Sequence, residues 1–80
     1  MPRFYIDTIR GCDETRDNDG ETYRDVLEAR QATILSLPGL CDSDLSDGIA
    51  QSYKSVLRDD SGKILYIATL TFCGEWKAEP

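Results

Sequence analysis

Apolar and polar residues alternate in the strand manner over two stretches of the chain, and between them they follow a helical period. The longest apolar stretch, QSYKSVLRDDSGKILYIATLTFCGEW from Gln51 to Trp76, holds two strand-like runs around a turn. In the first run Tyr53, Ser55 and Leu57 alternate with Lys54 and Val56. Asp59-Asp60-Ser61-Gly62 fits a type I turn closed by a left-handed glycine. From Lys63 to Cys73 the pattern puts Ile64, Tyr66, Ala68, Leu70 and Phe72 on one face, and Leu65, Ile67, Thr69, Thr71 and Cys73 on the other. A strand of that length with two apolar faces is either central and covered twice, or an edge that pairs with another chain.

Arg3 to Arg10 alternates in the same way, with Phe4, Ile6 and Thr8 opposite Tyr5, Asp7 and Ile9. The polar stretch Gly11 to Glu21 reads as a loop around Asp17-Asn18-Asp19-Gly20, and Glu21 to Tyr23 as a short return strand. A helix follows, with Asp25 as N-cap and Glu28 completing a capping box. Val26, Ala29, Thr33 and Leu37 share its predicted core face, flanked by Leu27 and Ile34. Arg30 falls inside that face and is expected to lie along apolar surface, its guanidinium at the edge or paired to a carboxylate. Pro38-Gly39 ends or kinks the helix near Leu37, and Leu40 to Gly48 allows a short continuation. The predicted fold is α+β, an antiparallel sheet of about four strands in ββαββ order with one main helix packed on one face.

Eighty residues form one small domain, spanning 1–80. A chain of this size buries only about 60% of its unfolded surface, so a partner subunit would add needed burial. The net charge of −6, from 15 acidic and 9 basic residues, argues against nucleic acid and anionic lipid, because no cluster of lysine and arginine interrupts it. No run approaches the roughly 20 apolar residues of a membrane span. The opening MPRFYIDTIR lacks the order of a signal peptide, so the expected setting is cytoplasmic.

Candidate chemistry changes this picture little. The chain has no histidine, and Cys12, Cys41 and Cys73 stand about thirty residues apart, without a CxxC pair. Zinc, haem and iron–sulfur ligation need clusters that are missing. The cysteines read as small apolar fillers of a reduced protein, with an intersubunit disulfide as the alternative. A calcium loop through Asp17, Asp19 and Gly20 fails at both ends, where Thr15 and Val26 stand at ligand positions, so a solvated turn is expected. The echo between Arg16-Asp17-Asn18-Asp19-Gly20 and Arg58-Asp59-Asp60-Ser61-Gly62 reads as two acidic turns built from the same residues. No serine has a base at motif spacing, and no Gly-rich phosphate loop occurs. No catalytic, cofactor or metal residue is assigned.

Two resemblances add to this. The opening Met-Pro is similar to that of small tautomerases, which implies Pro2 as an N-terminal base or nucleophile; the parallel β-α-β unit of that family disagrees with two turn-flanked hairpins. More of the chain is involved in the second. MPRFYID, DNDGETYRDVLEAR, RDDSGK and LYIATLTF, in that order, resemble a family of short bacterial proteins of unknown function, abundant in rhizobia and their relatives. The chain departs from that pattern at Tyr23-Arg24 and at Pro38-Gly39. The resemblance implies a fold and a bacterial cytoplasmic setting, and no activity. The leading expectation is a small acidic, non-enzymatic protein–protein interaction module that binds a protein partner or itself, as a homodimer, through a strand edge or sheet face. Leu65, Ile67, Thr69, Phe72 and Trp76 are its candidate surface. The alternatives are an antitoxin-like or regulatory partner that masks a basic protein, and a tautomerase-like enzyme using Pro2.

Overall fold

The computed structural model describes residues 1–78. Its elements are β1 (Arg3–Arg10), β2 (Asp13–Thr15), β3 (Glu21–Thr22), α1 (Val26–Leu35), α2 (Leu37–Ser46), β4 (Gln51–Asp59) and β5 (Ile64–Phe72). All pairings are antiparallel, in the order β2-β1-β4-β5, with β3 also on β1. The α+β class and the antiparallel sheet agree with the sequence; the count of four strands does not. The return strand of the N-terminal hairpin is split in two. β2 pairs with Thr8–Arg10 and β3 with Arg3–Phe4, and the Asp17 loop occupies the gap between them.

The helix is likewise two pieces. Pro38 has no N–H for the carbonyl four residues earlier, so the ladder breaks at Ser36 and a second ten-residue helix starts at Leu37. The break falls close to the expected place, but α2 equals α1 in length, which corrects the expectation of one main helix. Asp25 caps α1 as expected, accepting from the Glu28 N–H at 2.9 Å, and Glu28 reaches back to the Arg24 N–H at 3.0 Å.

Both helices lie on one face of the sheet. Phe4, Ala29 and Leu57 form one buried cluster, and Leu37, Cys41, Tyr53 and Ala68 the other, with Tyr66 against both. The sheet supplies the bulk, so the helix residues that meet it are small. Ala29 and Thr33 are fully buried, and the Ser36 and Ser55 hydroxyls stand 2.6 Å apart. Val26, Leu27 and Ile34, expected in or beside the core, are instead 45%, 63% and 40% exposed. Arg30 follows its expectation, with its guanidinium 5.9 Å from the Tyr66 ring centre.

Among the described residues β5 lies at the edge of the sheet and is not central. A bulge at the Leu57/Arg58 step shifts its register, so that Tyr66 opposes Leu57 while Ile64 opposes Arg58. Ile64 thereby leaves the helix face assigned to it by strict alternation. It joins Ile9, Val56 and Ile67 on the face opposite the helices.

Candidate functional site

The most constrained group of side chains lies on that opposite face, where β1 and β4 run side by side. Tyr5 opposes Arg58 and Asp7 opposes Val56, which puts Asp7 and Arg58 diagonally adjacent on one face. Arg58 forks onto Asp7, Nε to Oδ2 at 2.7 Å and Nη2 to Oδ1 at 3.0 Å, and its guanidinium lies 5.1 Å from the Tyr5 ring centre. Nη2 also donates to the Asp17 carbonyl at 2.9 Å, and the Asp17 N–H donates to Asp7 Oδ1 at 2.9 Å. The Asp17 carboxylate accepts from the N–H groups of Gly20, Asp19 and Ile6, at 2.9, 3.2 and 3.1 Å.

Asp17 therefore replaces a missing strand. The Ile6 N–H, in the gap between β2 and β3, is satisfied by a side chain instead of a backbone carbonyl. This corrects the expected solvated turn, because Asp17 is half-buried and latches its loop to the sheet. The echo between the two turns has a structural counterpart. Asp59 Oδ1 accepts from Ser61 and Lys63 as Asp17 Oδ1 accepts from Asp19 and Gly20, and Gly20 and Gly62 have φ of 68° and 89°.

Burial alone would raise the Asp7 pKa, but the Arg58 guanidinium and the Asp17 N–H outweigh it and hold the carboxyl below its ordinary value. Asp17 behaves alike, burial being outweighed by its N–H donors from Gly20, Ile6 and Asp19. The Asp7 carboxylate in turn raises the Arg58 pKa. Charges that satisfy each other this fully are poor acids or bases near neutrality. The group is a clamp between loop and sheet. A second buried pair ties α2 down, with the Tyr53 hydroxyl donating to Asp44 Oδ2 at 2.9 Å and Arg10 Nε 3.6 Å from the same oxygen. Burial and that bond push the Tyr53 pKa up to about 12.

The sequence-predicted surface residues do not form one patch. Ile67 and Thr69 are exposed on the face away from the helices, and Leu65 is exposed at the bulge. Phe72 is half-buried at the far end of β5, where it lines a shallow concavity with Gly48, Gly74, Glu75 and Trp76. Trp76 is 78% exposed and does not pack into the core. Sequence reasoning missed Leu27, Ile34 and Leu35, which it assigned to the helix interior or passed over. Cys41 is buried as expected, while Cys12 and Cys73 sit in exposed segments at strand ends, so two of three cysteines are not core fillers. Pro2 is exposed, and its carbonyl accepts from the Tyr23 N–H at 3.0 Å. Among the described residues no group of three or more histidine, cysteine, aspartate or glutamate side chains is arranged to hold a metal, and no helix is long and apolar enough to cross a membrane.

A family described as a domain of unknown function (DUF6894) matches residues 3–71. The chain belongs to this family. No curated protein and no solved structure matches it. Three of the stretches that carry the resemblance, MPRFYID, DNDG and RDDSGK, supply Asp7, Asp17, Gly20 and Arg58 of the clamp. Membership in the family thus assigns the chain a shared framework and no reaction.

Proposed function

We propose that the protein is a non-enzymatic interaction module that works as a self-associated assembly. The observation that supports this is the surface it leaves open. The chain exposes 5666 Å², whereas a compact monomer of 9.0 kDa exposes roughly 4,850 Å². The excess of about 800 Å² equals what one partner buries in a standard-size interface. It includes large apolar side chains such as Leu27, Leu35, Ile64 and Ile67, each 50% exposed or more. The radius of gyration points the same way, at 14.9 Å against about 12 Å for a compact chain of this length.

Size-exclusion chromatography with light scattering at micromolar concentration tests the reading. The expected mass is a multiple of 9.0 kDa that falls on dilution. A strict monomer across the accessible range removes it. The clamp around Arg58 argues against a reactive role for the most buried charges, because each is already paired.

A further inference from the structure

The two long edges of the sheet are protected unequally. The outer edge of β1 carries two short strands with acidic residues, and Asp17 seals the position between them. The outer edge of β5 has no partner strand among the described residues. From Ile64 to Gly74 the chain contains neither a charged residue nor a proline. Single edges normally carry such a residue, a bulge or a cover, because their free N–H and C=O groups recruit other strands. The bulge here affects one end of β5 and leaves Tyr66 to Phe72 in regular register.

Above this edge stands the exposed flank of α1. The Arg30 guanidinium already leans over Tyr66 of β5. Leu27 and Ile34 lie about 40–60° further round the helix, away from buried Ala29 and Thr33, on its exposed side toward β5. With Gln31 they line a shallow depression, and they are 63% and 40% exposed.

Building on the self-association proposed above, we infer that β5 pairs antiparallel with β5 of a second copy about a two-fold axis. One sheet then runs through both protomers. The strand spans Ile64–Phe72, so full overlap puts its midpoint, Ala68, on the axis. Tyr66 then opposes Leu70 of the partner subunit, and Ile67 opposes the partner's Thr69, with like faces matched. The surface excess favours a second copy over an unrelated strand, since it matches one partner's share of a standard interface. α1 runs from Ala29, packed on Leu57 beside Tyr66, to Ser36, bonded to Ser55 opposite Ala68, so it covers the Ile64–Ala68 half of β5 and its two-fold mate covers the other half. The last turns of the two helices then face each other across the axis about two strand spacings apart, roughly 10 Å, a distance at which helices pack. Ile34, in that last turn, approaches the partner's Ile34, while Leu27 stays at the outer end.

Amide hydrogen exchange and sedimentation at several concentrations test the inference. As dimer forms, every second amide of β5, those turned away from β4, gains protection. Ile34→Glu, changing one exposed residue, weakens association at least about tenfold by facing like charges across the axis. Lys54→Glu, on the opposite face of the sheet, leaves it unchanged. Circular dichroism checks that each variant is folded. If the protein dimerises while β5 exchange stays independent of concentration, or if Lys54→Glu breaks the dimer and Ile34→Glu does not, the edge pairing is wrong and self-association stands. If the protein is monomeric throughout, both fall.

Discussion

Replacing Arg58 with methionine keeps the length of the side chain and removes its charge and all its donors. The structure says what is then left. The two side chains of the Asp7–Arg58 pair are only 7% and 10% exposed, so Asp7 keeps a buried carboxylate with the Asp17 N–H as its remaining protein donor. Removing one partner of a buried ion pair costs about 3–5 kcal/mol. The open sheet face lets water reach the edge of Asp7, which argues for the lower end, about 3 kcal/mol. A total stability of roughly 4–12 kcal/mol is expected for a chain of this length, so the loss is a large share of it. Urea unfolding followed by far-ultraviolet circular dichroism, at one fixed protein concentration, reads it directly. With a slope of about 1 kcal/mol/M for a small domain, the midpoint falls by roughly 3 M. Two controls separate the clamp from general surface effects. Lys54→Met, at an exposed site on the same face and strand, shifts stability by no more than about 0.5 kcal/mol. Asp7→Asn combined with Arg58→Met loses less than the sum of the single losses, by about 2 kcal/mol, since the two side chains meet directly. A midpoint for Arg58→Met no lower than that of Lys54→Met, or strictly additive losses, refutes the account of the clamp.

The two turn glycines behave differently on substitution. A Cβ on Gly20 would stand 2.7 Å from a Tyr5 ring carbon and 2.8 Å from the Phe4 carbonyl oxygen, so Gly20→Ala destabilises by about 3 kcal/mol, combining clash with positive-φ strain. Gly62 has open space and only the strain, so Gly62→Ala costs about 1 kcal/mol; equal losses in urea melts contradict the close packing of the first turn. In acid, the lowered pKa values of Asp7 and Asp17 contribute stability that is complete above their unfolded value of about 4 and disappears as pH falls through the folded values. Asp7→Asn flattens that dependence in urea melts below pH 4, and an unchanged slope rules out its role. In alkali, Tyr53, raised to about 12 from about 10, contributes stability that is complete below pH 10 and is lost between the two values. Tyr53 therefore ionises above the ordinary tyrosine range by ultraviolet absorbance, and Tyr53→Phe removes that step.

The local parts of this fold were readable because they rest on neighbours in sequence. The Asp25 cap, the hairpin turn at Asp59–Gly62 and the break near Pro38 each follow from residues within a few positions. The clamp was not readable, because Asp7 and Arg58 lie 51 residues apart and meet only through the β1–β4 register. Asp7 did leave a trace, as a carboxylate between Tyr5 and Ile9 on an otherwise apolar strand face, which calls for a cation that the sequence cannot choose. The orientation of α1 failed for a related reason. Its helical period marks a face correctly through Ala29, Thr33 and Leu37, but how far that face extends depends on bulk supplied by Phe4, Tyr53 and Leu57 from the sheet. Alternation alone left open which apolar face of β5 the helices cover, because both faces carry large side chains. The bulge that moves Ile64 across the sheet has no signature in the alternation itself.

The unequal edges also bear on where association stops. If β5 pairs with its two-fold mate, the ends of the joined sheet are the two β1 edges, and growth ends there because both are capped. Asp17 is the residue on which this closure depends most, since its carboxylate occupies the Ile6 N–H in the gap between β2 and β3. Asp17→Ala frees that N–H, removes the acceptor for Gly20 and Asp19, and loosens the loop from Asp7. The monomer should lose about 2 kcal/mol for the broken latch, since hydrogen bonds to a charged group contribute about 1.5–3 kcal/mol. More tellingly, the dimer acquires two further open edges, and light scattering should report species larger than a dimer whose proportion rises with concentration. Arg58→Met, which weakens the same clamp but leaves the Asp17 carboxylate on Ile6, should show the stability loss without the added growth. An Asp17→Ala protein that is less stable yet stops at the wild-type mass separates the two roles, and would mean that β2 and β3 guard the edge without the help of Asp17.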